Sequence, residues 1–117
     1  MDLDTTGMLP REQIQQDRSN CERWIQLLEG STFRQGAIAV YDWLLGVAPA
    51  PISGVTASTR DAVKNEEQLA HQAIYGVRGA PEVISQDWAV GVEHACLWVR
   101  GLTEDPPGGP LPSDEDD

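Results

Sequence analysis

Apolar residues recur at helical spacing through most of this chain, and no stretch alternates apolar and polar over more than a few residues. The first pattern opens after Pro10, whose missing N–H suits a helix start, and runs through Ile14, Cys21, Trp24, Ile25 and Leu28 to Gly30. The second, about residues 32–45, sets Phe33, Ala37, Val40 and Leu44 on one face and Ile38, Tyr41 and Leu45 on its flank, with Gly46 as a left-handed stop. Ser31 or Thr32 caps it, so the first two helices are expected to form a hairpin or a sharp corner. Two prolines make residues 48–54 an extended connector, with Ile52 and Val55 expected to anchor it to the core.

The third helix is predicted from Ser58 or Thr59, where Ser58-x-x-Asp61 resembles a capping box, to Gly76. Its apolar stripe is Ala62, Leu69, Ala73 and Val77, with Val63, Ala70 and Ile74 beside it. The fourth, about residues 86–102, follows a cap at Ser85 and carries Trp88, Val92, Ala95, Val99 and Leu102 on one face and Val90, Leu97 and Trp98 on others. A helix this apolar is either packed on several sides by the others or presents one face to a partner or a second copy. Gly36 and Gly91 lie inside helical patterns at up to about 1 kcal/mol relative to alanine, which predicts close helix–helix approach. The fold class is therefore all-α, a single-domain bundle of about four helices over residues 10–102.

The end segments change the picture. Of 117 residues, 19 are acidic and 8 basic, a net charge of −11, and eight of the acids lie in the first ten residues or from residue 103 onward. Between residues 11 and 102, 11 acids face 8 bases, so the body is nearly balanced. Residues 1–9 and the Pro/Gly-rich acidic run 103–117 are expected to be disordered, having little to bury against a backbone ordering cost of about 1–2 kcal/mol per residue. The bases are scattered and form no track, which argues against direct nucleic-acid binding by the body. No apolar stretch approaches the ~20 residues of a membrane span, and the N-terminus has no signal-peptide pattern. The expected location is cytoplasmic, with Cys21 and Cys96 as two buried free thiols.

Candidate chemistry is sparse. Glu67, His71 and Tyr75 share one face of the third helix, Glu67 and His71 reading as a solvated pair, and Glu93-His94 sits in the most apolar helix, with one of them expected to face inward. Together Glu67, His71, Glu93 and His94 are the candidate small-ligand or metal set, but a di-iron bundle needs Glu-x-x-His with further glutamates, and no zinc-type cluster is present. There is no nucleophile elbow, phosphate loop or dinucleotide fingerprint, so no catalytic residue, metal or cofactor is assigned. The tryptophans read as core and interface anchors, and Trp88, Trp98, Trp43 and Ile52 are the candidate partner-binding residues.

The segments Tyr41-Asp42-Trp43-Leu44-Leu45-Gly46 with Ala48-Pro49-Ala50-Pro51-Ile52-Ser53-Gly54, and Tyr75-Gly76 with residues 88–98, resemble small helical proteins of actinobacteria and their phages. The resemblance covers about residues 20–105 and implies a source, with no activity attached. The function expected from the sequence is protein–protein interaction, as an adaptor or regulator without catalysis, the partner unidentified and a homodimer among the candidates. The alternatives are a phage- or plasmid-type inhibitor of a host enzyme, with the acidic tail in a basic groove, and a small-ligand or metal-binding bundle.

Overall fold

A computed structural model describes residues 7–27, 31–75 and 86–109. It holds four helices in the expected order: α1 (Arg11–Leu27), α2 (Thr32–Leu44), α3 (Arg60–Tyr75) and α4 (Gln86–Val99), with no strand among the described residues. The apolar girth of α4 is covered inside the chain. It packs between α2 and α3, while α1 packs on α2. Ala89, Val92, Ala95, Cys96, Trp98 and Val99 are all buried. The α4 surplus that pointed to a partner face is thus mostly core.

Gly36 and Gly91 set the α2–α4 crossing. A Cβ on Gly36 would lie 2.1 Å from Trp88 O, and one on Gly91 1.8 Å from Phe33 O. Each glycine therefore receives a carbonyl from the residue one turn ahead of its counterpart, and the two backbones touch. Close approach, expected from the sequence, is what the fold builds there.

Both α2 and α4 end in the same way. Gly46 N donates to Trp43 O and Val47 N to Asp42 O; Gly101 N donates to Trp98 O and Leu102 N to Leu97 O. Each is a Schellman motif closed by a glycine at positive φ, 80° at Gly46 and 76° at Gly101. Gly101 explains why α4 stops at Val99 and not at Leu102, which is exposed. At α3 the cap is Thr59, whose Oγ1 accepts from Ala62 N at 3.2 Å. The expected α1–α2 corner at 28–30 and the Ser85 cap lie outside the described residues.

The packed body reaches beyond residues 10–102. Met8 and Leu9 are buried, and Leu9 N donates to Val99 O at 2.8 Å. Pro107 and Gly108 are buried as well. In the connector Ile52 packs against the core as expected, but the expectation for Val55 is corrected: its side chain is exposed and its carbonyl accepts from Ala50 N.

Candidate functional site

Among the described residues three charged side chains are buried, and each holds a loop or a helix end. Glu66 is wholly buried on the inner stripe of α3, and its carboxylate accepts from the backbone N–H of Ile52 and of Ser53. It clamps the Pro51–Ser53 turn to the core. Arg100, 5% exposed, donates from Nε to Cys96 O and pairs through Nη2 with Glu67 at 3.3 Å. Glu67 is thus bonded to the end of α4 and not to His71, as its spacing suggested.

Asp17, 2% exposed, is the third. It lies in α1 on the face of Ile14 and Cys21, and it accepts from Tyr41 Oη at 2.6 Å and from Gly108 N at 3.0 Å, with Cys21 Sγ at 3.7 Å. Burial, with the Asp17 charge second, raises the Tyr41 hydroxyl and the Cys21 thiol well above their ordinary values. Cys96 is pushed up by burial, with Glu66 second. Both cysteines are free. Thiols held protonated this way are poor nucleophiles and poor ligands.

The segment after α4 runs back across the molecule. His94 Nε2 donates to Asp105 O at 2.6 Å, Gly109 N donates to Pro106 O in a tight turn, and Gly108 sits against Asp17 and Asn20. The Pro/Gly composition that read as unstructured therefore includes a seated strap at residues 103–109. Beside it, Phe33 meets His94 edge-on with ring centroids 5.7 Å apart, and the Arg34 guanidinium lies 4.8 Å from the Trp24 ring centre.

The candidate ligand set is divided. His71 Nδ1 and Glu93 Oε2 are 2.8 Å apart, joining α3 to α4, and His71 and Glu67 share an open groove of about 330 Å³ with Gln68 and Gln72. His94 faces Phe33 and the strap instead. Neither Glu93 nor His94 is fully buried. Among the described residues no three acids, histidines or cysteines come together as a metal site.

The candidate partner residues also divide. Trp43 and Trp98 are core, 1% and 5% exposed, with Trp43 Nε1 donating to Ala57 O at 3.2 Å and Trp98 packed edge-on against Tyr41. They are corrected from interface anchors to packing residues. Trp88 and Ile52 are half-buried against the core. Among the described residues the large apolar side chain that stands furthest into solvent is Val47, 73% exposed, just past α2. It borders a groove of about 500 Å³ between α1 and the end of α2, where Arg11 Nη2 donates to Leu45 O and Arg18 Nε to Asp42 Oδ1 at 2.6 Å. Arg18 also pairs with Glu22. No sequence signal marks this groove beyond a valine after a helix-ending glycine.

No family model, curated protein or solved structure matches the chain. No helix among the described residues is long and apolar enough to cross a membrane.

Proposed function

We propose that the chain is a non-catalytic protein-interaction domain that meets its partner through the groove between α1 and the end of α2. The observation that carries this reading is Val47, an exposed β-branched side chain beside two arginines already fixed in place by Leu45 O and Asp42. Arginine is among the residues that dominate binding energy, and arginines held in place before docking lose little side-chain freedom, while Val47 adds apolar contact area beside them. Arg18 is balanced by Asp42 and Glu22, so the anchor is apolar and the complex should hold at high salt. The buried ionisable groups support the same reading: Asp17, Glu66 and Arg100 are engaged in holding loops and helix ends. The fold buries the α4 face that had suggested a homodimer, so a different protein is the better-supported partner.

The test is capture of partners from host lysate by the tagged chain at low and high salt, repeated with Val47→Glu and with Lys64→Glu as an exposed control. One stoichiometric partner, retained at high salt and by Lys64→Glu and lost with Val47→Glu, is the expected result. Retention by Val47→Glu refutes the surface, and a chain that captures nothing refutes the function.

A second reading, small-ligand binding, is favoured by the His71–Glu93 pair beside the 330 Å³ groove. A ligand screen by thermal shift, with a hit that disappears in both His71→Ala and Gln68→Ala, would support it. An empty screen would remove it.

A further inference from the structure

We propose that the surface bridging α1 and α4 around Asp17 and His94 is a peptide-binding site for proline–glycine turns, and that residues 105–109 are its built-in, autoinhibitory occupant. The recognition seen there is of main chain. Asp17 accepts the Gly108 N–H, and His94 Nε2 donates to the Asp105 carbonyl, so a segment of the same shape from another protein supplies both groups from its main chain. The site also measures size. A Cβ on Gly108 would lie 2.4 Å from Asp17 Oδ1 and 2.8 Å from Asn20 Cβ, so glycine alone fits at that point.

The ligand class follows from how the occupant is built. Pro106 O accepts from Gly109 N at 2.9 Å, and Gly109 takes φ 53°. Pro107 and Gly108 are the two central residues of that turn. Proline at the first central position fixes one backbone angle before binding, and glycine at the fourth takes the positive φ that other residues rarely adopt, so the Pro-Gly-Gly sequence favours this turn. The receptor side is rigid: Asp17 and His94 sit in the middle of helices, and Asp17 is oriented by Tyr41 Oη. With the strap lifted, the Asp17 carboxylate loses the Gly108 donor and keeps those of Tyr41 and Cys21, which favours any segment that brings a backbone N–H.

The strap begins at the fourth residue after α4, past Gly101. A tether that short gives the occupant an effective concentration on the order of millimolar, which a competing partner must exceed or offset with contacts elsewhere. The strap therefore sets a threshold for partner entry. This site is distinct from the α1–α2 groove, and either can fail its test without the other.

The experiment titrates a synthetic peptide of residues 103–110 into the full-length chain carrying Gly108→Ala, which unseats the strap, and into the unsubstituted chain, following amide shifts of Asp17, Tyr41 and His94 by NMR. Binding to the variant at least about tenfold tighter than to the unsubstituted chain is expected, since only the latter holds a tethered competitor. The same peptide carrying Gly108→Ala should not bind. A folded variant that takes no peptide overturns the proposal. A variant that dimerises and takes no peptide also overturns it, assigning the surface to a second copy. Should Gly108→Ala fail to fold, the unsubstituted chain at about 10 mM peptide decides: shifts confined to these residues support the site, and none refutes it.

Discussion

Replacing Gly91 with alanine tests whether α2 and α4 are pressed together backbone to backbone. The new methyl would begin 1.8 Å from Phe33 O, with Ala37 N at 3.2 Å, and both neighbours are main chain that no rotamer change can move. An ordinary carbon–oxygen contact is about 3.3 Å, so the helices must part locally by about 1.5 Å. Alanine returns up to about 1 kcal/mol of helix propensity. Against that stand overpacking, about 1–3 kcal/mol, and the gap that separation opens along a buried interface, where even about 0.5–1 Å forfeits a quarter to a half of each contact. The net expectation is a loss of about 2 kcal/mol or more, a fall in Tm of about 10 °C. Urea and thermal unfolding followed by circular dichroism measure it. Gly36→Ala should behave alike, because its methyl would meet Trp88 O, and the double variant should lose less than the two singles together, since one separation relieves both clashes. A Gly91→Ala chain as stable as the original, or stabilised by its propensity gain, would refute the close crossing.

Three further predictions follow from the buried groups. Trp98→Ala and Trp43→Ala should each cost about 3–5 kcal/mol as core truncations, measured by urea unfolding; loss of partner capture with stability unchanged would return them to an interface role. Glu66→Ala should strand the Ile52 and Ser53 N–H groups and cost at least about 1–3 kcal/mol, with faster proteolysis at residues 48–57; an unchanged cleavage rate would show that the clamp is dispensable. Cys21, Cys96 and Tyr41 stay protonated in the fold to higher pH than in the unfolded chain, so the unfolded state releases its protons first and stability falls as pH rises above about 9. The slope should approach about 1.4 kcal/mol per pH unit for each thiol, seen as urea midpoints dropping between pH 8 and pH 10, and the Cys21→Ala, Cys96→Ala double variant should flatten it; equal slopes would refute the assignment.

The helices were legible because their signals are local. A 3.6-residue period, Gly46 after α2 and the interior glycines of α2 and α4 each follow from a few neighbouring residues. What the sequence could not apportion was the apolar girth of α4. Ala95, Trp98 and Val99 look the same whether a partner or the chain's own ends cover them. The decision rests on long-range contacts, such as Leu9 N on Val99 O, that no helical period records. The same ambiguity leaves Trp98 on α4 and Trp43 on α2 as readily interface as core until the fold is known.

The polar site was harder to read, for a related reason. Asp17 falls on the buried stripe of α1 between Ile14 and Cys21, and Glu66 falls on that of α3 between Val63 and Ala70. An acid at an apolar register position is the one sequence signal that a donor must arrive from elsewhere, since a buried carboxylate without hydrogen bonds is too costly to keep. For Glu66 the donors are a turn thirteen or fourteen residues upstream. For Asp17 one of them is Gly108, ninety-one residues away in a segment whose composition argues for disorder. Composition misleads there because the strap is seated by a turn, by two hydrogen bonds from its backbone to the side chains of Asp17 and His94, and by the burial of a single proline, Pro107. The glycine that makes the run look featureless is what lets its N–H reach a carboxylate with no side chain in the way.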